Sequence, residues 1–313
     1  MLRREFIISS TFSLPILSCG NLMNKDNDKL FFKIGLAQWS FNKALKVGNI
    51  DNLDFVKVAK EKFNIDVVEY VNQFFFDKAN DKKYLGEMLK RSDDYGVKNL
   101  LIMIDDEGHL GGIDKQKRMQ AIDNHKKWVE AASYLGCDHI RVNAQGYGHQ
   151  DEISKNASES LFLLGEFSEP YNIDIIVENH GGYSSDAKWL VEVIKNSGRN
   201  NVGTLPDFGN FCVKTKAEEL SDWGASSGEC AQEYDKYLGV KEMLPYARSV
   251  SAKSYNFDSN GDAIDIDYYK MLKIIKDSGY DGCISIEYEG NNHSEEEGIM
   301  LTKKLLEKVG RTI

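Results

Sequence analysis

The sequence has a deficit of basic residues, and this deficit excludes one large class of partner. Its 313 residues contain 39 Lys and Arg against 49 Asp and Glu, which gives a net charge of −10. Proteins that bind the phosphate backbone of nucleic acids usually present a basic patch, and no run of Lys or Arg of that kind occurs here. We therefore expect no nucleic-acid partner.

Cysteine and histidine are also scarce, with 5 and 6 copies, and none has the spacing of a structural zinc site. Cys137 and Cys283 lie at or near the starts of strand-like runs, where a buried thiol is the ordinary expectation. Cys212 and Cys230 flank one polar loop. Whether they pair stays open, because the sequence cannot place their Cα atoms.

The N-terminal segment differs in composition from the rest of the chain. Residues 1–19 combine a positively charged start, an apolar stretch too short to span a bilayer and a small residue before Cys19. Ser18 and Cys19 resemble a bacterial lipobox, and Arg3 and Arg4 resemble a twin-arginine signal. We expect an export signal, a tether over residues 20–30, and a periplasmic or membrane-anchored lipoprotein that contacts the membrane only through its lipid.

Eight short apolar runs alternate with helix-like stretches along residues 31–313. The runs cover residues 33–39, 65–71, 99–104, 139–143, 173–178, 201–206, 249–253 and 282–287. They are rich in β-branched residues and nearly continuous in apolarity, as strands buried on both faces are. This alternation predicts an α/β fold, a (β/α)8 TIM barrel in a single domain, with an open doubly wound sheet as the alternative.

Three acidic residues stand at the ends of three of these runs. Glu178 ends IDIIVE, Asp207 follows VGTLP and Glu287 ends GCISIE. Carboxylates from different strands converge only when the strands are parallel and share one rim, and the C-terminal rim of a barrel has that geometry. The pattern predicts a divalent-metal site, a proton-transfer site, or both.

A lysine ends the seventh run, near these acids. Lys253 would be costly to bury without a partner, so we expect it to neutralise the acids or to act as an electrophile or acid/base group. A plain salt bridge to Glu287 is the alternative. Glu287 and Glu289 share one facing parity, and we expect Glu287 to be the one that points inward.

Other polar and aromatic side chains near strand ends suit a polyhydroxylated ligand. These candidates are Glu69, Arg141, Asn143, His180, Asn210, Trp39, Tyr70 and Phe74. The long polar connection over residues 209–233 also falls on the rim, and its Trp223 either closes over a substrate or packs within its own loop. The polar loop over residues 105–109 receives no assignment.

The strand ends VENH, LPDFGN, VSAKSYNFD and ISIEYEG resemble those of the sugar phosphate isomerase/epimerase family, which has a xylose-isomerase-like barrel. The resemblance runs from Lys33 to Gly290. It implies one divalent ion (Mn, Mg, Co or Zn) held by Glu178, Asp207 and Glu287 together with a histidine. Ser251 occupies that histidine position, and its hydroxyl is a weaker ligand for transition metals than imidazole.

The resemblance also implies a reaction on a small carbohydrate. The metal or Lys253 would polarise the carbonyl of a sugar or keto-sugar, while Glu178 and Glu287 remove and return a proton in isomerisation or epimerisation. His180 and Arg141 would hold hydroxyl groups. The alternatives are a lyase that acts on 3-keto-glycosides, a non-catalytic sugar-binding lipoprotein and a metal-dependent nuclease or phosphoesterase. The small number of histidines disfavours the last.

Overall fold

The computed structural model describes residues 29–216 and 229–313. Cys19, with the predicted export signal, and Trp223 lie outside these ranges. The first six strands are β1 (Lys33–Ala37), β2 (Val67–Val71), β3 (Lys98–Met103), β4 (His139–Val142), β5 (Asp174–Glu178) and β6 (Val202–Leu205). They are followed by β7 (Cys212–Thr215), β8 (Cys230–Glu233), β9 (Val250–Ser254) and β10 (Cys283–Tyr288).

Eight of these strands form one parallel sheet in the order β6-β5-β4-β3-β2-β1-β10-β9. The two ends of this order meet through parallel bridges between Thr204 and Ala247 and between Asp207 and Ser251. Gly203 allows this approach, because a Cβ atom there would lie 2.5 Å from the Tyr246 carbonyl oxygen. The predicted TIM barrel in a single domain is confirmed.

Helices follow the strands and cover the outside of the barrel. They are α1 (Asn42–Lys46), α2 (Phe55–Phe63), α3 (Lys82–Tyr95), α4 (Lys115–Tyr134), α5 (Gln150–Ser168), α6 (Ala187–Asn196), α7 (Lys236–Met243), α8 (Tyr268–Asp277) and α9 (Glu295–Thr312). The short α1 was not expected from the sequence. No helix in the described ranges has the length and apolarity that a membrane crossing requires.

Aspartate side chains cap the N-termini of five of these helices, where they accept hydrogen bonds from free backbone N–H groups. They are Asp81, Asp114, Asp186, Asp235 and Asp267, at α3, α4, α6, α7 and α8. Gly96 ends α3 with a φ of 62°, as a C-cap glycine does. Part of the acidic surplus of the sequence therefore stabilises helix starts.

The apolar core has two layers, because successive strand residues face opposite sides of the sheet. The larger layer fills the space between strands and helices. The smaller layer lies inside the barrel and consists of Ala37, Val71, Leu101, Met103, Ile176 and Leu205. Polar side chains on the same interior face continue beyond this layer at the C-terminal ends of β4, β5, β6, β9 and β10.

β7 and β8 form an antiparallel ribbon outside the barrel sheet. The sequence predicted a non-helical connection here but not a ribbon. Cys212 and Cys230, whose pairing the sequence left open, form a disulfide with their Cα atoms 5.8 Å apart. Cys137 and Cys283 are free and buried, as expected.

Candidate active site

The three strand-end acids meet at the C-terminal rim of the barrel. Glu178 ends β5, Asp207 follows β6 and Glu287 lies in β10, and one carboxylate oxygen of each lies within 4.8 Å of the other two. All three residues are at most 4% exposed. Such burial is costly for carboxylates, so each must have compensating partners.

Lys253 supplies the positive charge on one side of this acidic triad. Its Nζ lies 2.6 Å from Glu287 Oε1, 3.2 Å from Glu289 Oε1 and 3.8 Å from Asp207 Oδ2. Ser251, two residues earlier on β9, donates a hydrogen bond from Oγ to Asp207 Oδ2 at 2.6 Å and approaches Glu287 Oε2 at 3.2 Å. We call Lys253 with these three acids the lysine cluster.

Arg141 on β4 supplies the positive charge on the other side. Its Nη1 lies 2.7 Å from Asp105 Oδ1, and its Nε lies 2.9 Å from Glu178 Oε2. The second contact has poor hydrogen-bond geometry, and Glu178 Oε2 has no hydrogen-bond partner. We call Arg141, Asp105 and Glu178 the arginine cluster.

A tight turn after β6 orients Asp207 and Asn210. Asp207 Oδ1 accepts hydrogen bonds from the backbone N–H groups of Gly209 and Asn210, at 2.8 and 2.9 Å. The Asn210 side chain then donates to Glu178 Oε1 at 3.0 Å. Asn179 ties the turn to β5, since it accepts from the Asp207 N–H at 2.7 Å and donates to the carbonyl oxygens of Asp207 and Asn210.

Burial changes the protonation of the triad. It raises the pKa of Glu178 to about 7, although the nearby Arg141 opposes the shift. It raises the pKa of Asp207 to about 8 against the opposing effect of Lys253. Burial would lower the pKa of Lys253, but Asp207 and Glu287 outweigh it and hold that pKa well above its usual value. The site thus combines a permanent cation with carboxyl groups that exchange protons near neutral pH.

The neighbouring groups shift in the opposite direction. Burial alone would raise the pKa of Asp105, but Arg141 outweighs it and lowers that pKa. Lys253 likewise outweighs burial at Glu289 and lowers its pKa. Burial, assisted by Arg141, lowers the pKa of His180 to about 4, so its imidazole is neutral at pH 7. Neutral imidazole can donate one hydrogen bond and accept another.

A cleft of about 860 Å³ adjoins the triad through Lys253 and Asn210, which contact Glu287 and Glu178. Its floor includes Lys253, Asn210 and Glu289, and His180 and Tyr255 stand at its sides. The disulfide-linked ribbon forms part of one wall, through Cys212, Val213, Lys214, Thr215 and Gln232. The lining therefore mixes apolar and polar groups with four charged side chains, Asp186, Lys214, Lys253 and Glu289.

Some of the predicted substrate-binding residues line the cleft, and others bind the acidic side chains of the site. His180 and Asn210 line the cleft. Arg141 and Asn143 both bind Asp105 Oδ1, so they support the arginine cluster. Trp39 lies in a 3-10 turn after β1, packs near Phe74 and donates its indole N–H to Glu289.

Two predicted positions need correction. Glu69 is fully buried below the triad, where its Oε1 accepts hydrogen bonds from Ser285 at 2.7 Å and Ser249 at 2.9 Å. It cannot reach a ligand in the cleft, because β2 continues to Val71 above it. Tyr70 faces the opposite side of β2 and packs among the helices, so it belongs to no aromatic face of the site.

The sequence interpretation missed two site residues. The sequence analysis makes no assignment for Asp105, although this residue follows Met103 at the spacing that keeps it on the interior face of the barrel. Glu289 was ranked below Glu287, but both approach Lys253. The alternation of side chains along a strand was the available signal in both cases.

Comparison with known proteins places the chain in a family. Residues 56–308 match the model of the xylose isomerase-like TIM barrel family, and the chain belongs to that family. No curated protein sequence matches the chain.

Solved structures with the same fold share little sequence with the chain. The IOLI protein, whose structure contains a bound zinc atom, is 17% identical with a TM-score of 0.66, over 90% of this chain and 99% of that one. A D-tagatose 3-epimerase-like protein is 19% identical with a TM-score of 0.62, over 89% and 97%. The 3-keto-D-glucoside 4-epimerase YcjR from E. coli is 12% identical with a TM-score of 0.65, over 88% and 99%.

The triad has a donor set that could hold a divalent metal ion. Its three carboxylates are close enough to share one ion, and Glu178 Oε2 is buried without a hydrogen-bond partner. Carboxylate oxygens suit hard cations such as Mg²⁺ and Mn²⁺. The remaining position holds the Ser251 hydroxyl in place of an imidazole, and the Lys253 ammonium group lies beside it.

Proposed function

We propose that this protein is a sugar isomerase or epimerase that moves a proton on a carbon next to a carbonyl group. The observation that carries the proposal is the buried triad, in which Glu178 and Glu287 approach a shared point from β5 and β10. The sugar-epimerase names of structures with the same fold agree with this assignment. Aldose–ketose isomerisation and epimerisation share the enediolate step that such a pair of carboxylates serves.

In this proposal the two glutamates exchange the proton and the remaining groups stabilise charge. Glu178, with a pKa of about 7, accepts the proton from one side, and Glu287 returns it from the other. The Lys253 ammonium group lies against Glu287 and faces the cleft, where it stabilises negative charge on the substrate oxygen. His180 and Asn210 position hydroxyl groups of the sugar.

A divalent ion that displaced the Lys253 ammonium group from these acids would be held by Glu178, Asp207 and Glu287. When bound, it would supply Lewis-acid polarisation of the substrate carbonyl. Mn²⁺ and Mg²⁺ suit the three carboxylates better than Zn²⁺ or Co²⁺, because Ser251 replaces the softer imidazole ligand.

The substrate we propose is a neutral carbohydrate. The cleft walls present amides, hydroxyls and backbone, with Lys214 as a single additional cation among the described lining residues. Recognition of a phosphate group usually needs bidentate arginine or several N–H donors.

The size of the cleft favours a second reaction within the same chemistry. A volume of about 860 Å³ lies near the upper end of small-molecule sites and leaves space beyond one sugar ring. In a 3-keto-glycoside, removal of the C2 proton beside the C3 carbonyl expels the group on C1. Release of p-nitrophenolate from p-nitrophenyl 3-keto-glucoside would identify this lyase reaction.

Solvent deuterium exchange tests the proposed function. The protein is incubated in D₂O with D-tagatose, D-psicose, L-ribulose or methyl 3-keto-glucoside, with and without Mn²⁺, and proton NMR follows the carbon next to the carbonyl. We expect deuterium to enter that position on at least one probe. Glu178→Gln and Glu287→Gln should each reduce the rate by about 10²–10⁴-fold.

Glu61→Gln is the matched control, because Glu61 is exposed on α2. It should exchange at the wild-type rate. If the probes bind, as measured by calorimetry, but no exchange occurs, the protein is a sugar-binding module and the enzymatic proposal is wrong.

We also propose that the chain is exported and lipidated at Cys19. The Cys212–Cys230 disulfide supports this, because disulfides persist mainly in oxidising compartments. Radiolabelled palmitate should be incorporated into the full chain expressed in a Gram-negative host and lost in Cys19→Ser. Equal labelling of the two proteins would contradict the proposal.

A further inference from the structure

The lysine cluster holds an ammonium group where the acids could otherwise share a metal ion. Lys253 Nζ contacts Glu287 at 2.6 Å and Glu289 at 3.2 Å and lies 3.8 Å from Asp207. Two of these acids also belong to the triad. A divalent ion bound between them would therefore lie next to a permanent positive charge in a buried site, where charge repulsion is strong.

We propose that Lys253 is the resident cation of this site and that it competes with a divalent ion for Asp207 and Glu287. The wild-type chain then binds Mn²⁺ at least about a hundredfold more weakly than a chain that lacks the amine. The cofactor position of the family is thus filled by a side chain of this protein.

Glu289 gives this ammonium group an anchor outside the triad. Glu289 Oε1 accepts the indole N–H of Trp39 and also lies 3.2 Å from Lys253 Nζ. It directly follows β10, two residues after Glu287 and with the same facing parity, so the two glutamates hold the amine from neighbouring positions. An amine held in this way is not simply a mobile surface charge.

Ser251 also contacts two of the acids that Lys253 holds. Its hydroxyl donates to Asp207 Oδ2 at 2.6 Å and lies 3.2 Å from Glu287 Oε2. A metal ion that used these oxygens would replace hydrogen bonds from both Ser251 and Lys253. No comparable loss would occur at a site whose fourth group is a neutral imidazole.

The position of the cluster also fits a catalytic cation. Lys253 is only 2% exposed, but it lines the cleft together with Glu289, whereas Asp207 and Glu287 do not line it. The positive charge that a ligand meets is therefore the ammonium group. The catalytic use of this charge rests on the proposed function. The competition with a metal ion does not, because metal binding is measured separately.

Calorimetric titration of MnCl₂ into EDTA-treated protein tests the competition. Lys253→Met should bind one equivalent at least about a hundredfold more tightly than wild type, and Ser251→His combined with Lys253→Met should bind more tightly still. Lys214→Met, which removes a lysine from the ribbon side of the same cleft, is the control and should match wild type. Wild-type binding as tight as that of Lys253→Met would overturn the proposal.

A second measurement needs only the wild-type protein, in case the variants fold poorly. Ligands that bind the folded state raise the melting temperature. We expect the wild-type Kd for Mn²⁺ to lie far above 1 mM, so 1 mM Mn²⁺ should leave the melting temperature unchanged, and a rise of several degrees would overturn the proposal. Both readouts are independent of catalysis, so loss of the proposed isomerase function would show only in the deuterium-exchange experiment.

Discussion

The two charge clusters of the site compensate buried carboxylates with different cationic side chains. In the arginine cluster, a planar guanidinium group bridges Asp105 and Glu178 from the side of β4. In the lysine cluster, a flexible amine faces Asp207, Glu287 and Glu289 and borders the cleft. The guanidinium fork is rigid and always charged, whereas an ammonium group is a compact point charge on a flexible stem.

The two clusters therefore have different roles: the arginine cluster supports the site, and the lysine cluster takes part in its chemistry. Arg141 and Lys253 are both almost fully buried. Without Arg141, its two partners would keep one amide donor each, from Asn143 and Asn210. The acids around Lys253 have additional donors, from Ser251, the turn after Asp207 and Trp39. We infer that the arginine cluster mainly fixes the geometry of Glu178, while the lysine cluster can change its contacts when a ligand binds.

The largest expected effect breaks the arginine cluster. Arg141→Met should lower the free energy of unfolding by about 3–5 kcal/mol, because it leaves Asp105 and Glu178 buried without a cation. Chemical denaturation monitored by circular dichroism measures the change. Lys253→Met should cost less, about 2 kcal/mol, since Asp207 alone keeps three other donors, more than Asp105 and Glu178 keep together. Equal losses would contradict the division between support and chemistry.

The pH dependence of stability reports on Glu69, the acid that is buried below the triad without a cation of its own. Burial raises the pKa of Glu69 to about 7, although Ser285 and Ser249 oppose the shift. The folded state therefore retains a proton that the unfolded chain releases above about pH 4.5. This contribution to stability is complete below pH 4.5 and is lost as the pH rises through about 7.

The expected loss from Glu69 is about 3 kcal/mol between pH 4.5 and pH 9. Glu178 and Asp207, with pKa values of about 7 and 8, shift stability in the same direction. Denaturation curves across this range should show a steady decline for wild type and a shallower one for Glu69→Gln. Parallel curves for the two proteins would show that Glu69 does not titrate in this range.

The smallest expected effect comes from removing the charge of Glu289, the most exposed acid of the lysine cluster. Glu289→Gln keeps an oxygen that can accept from Trp39 but removes the charge opposite Lys253. We expect a loss of about 1 kcal/mol in unfolding free energy, because Glu289 is partly exposed and its ion pair is screened. A loss as large as that of Arg141→Met would show that the cluster depends on this acid for its structure.

Much of the site could be predicted because strand ends in a parallel barrel share one rim. Glu178, Asp207 and Glu287 each terminate an apolar run, and the structure brings all three together. The same reasoning failed for Glu69, whose strand continues to Val71 and has a register shift next to it against β3. An acid within an apolar run gives no indication of its depth along the barrel axis.

Other features depend on contacts that leave little local trace in the sequence. The ribbon of β7 and β8 pairs segments on either side of residues 217–228, with a sequence separation of 18 between its linked cysteines. Asp105 stands first in a run of three acids, and only its alternation with Met103 marks it as interior. The contacts of Lys253 with Asp207 and Glu287 agree with the sequence expectation, whereas its contact with Glu289 depends on where the chain runs after β10 ends.

The contact between the ends of the sheet, next to β6 and β9, also involves residues of the site. One of the two bridges that complete the barrel pairs Asp207 with Ser251, through backbone hydrogen bonds from Phe208 and Ser251. The residues that gather the acids are therefore also the ones that hold the ends of the sheet against each other. Any partial opening of the cylinder at this join disperses the acids first, so turnover should fail before the bulk of the helices and strands melts.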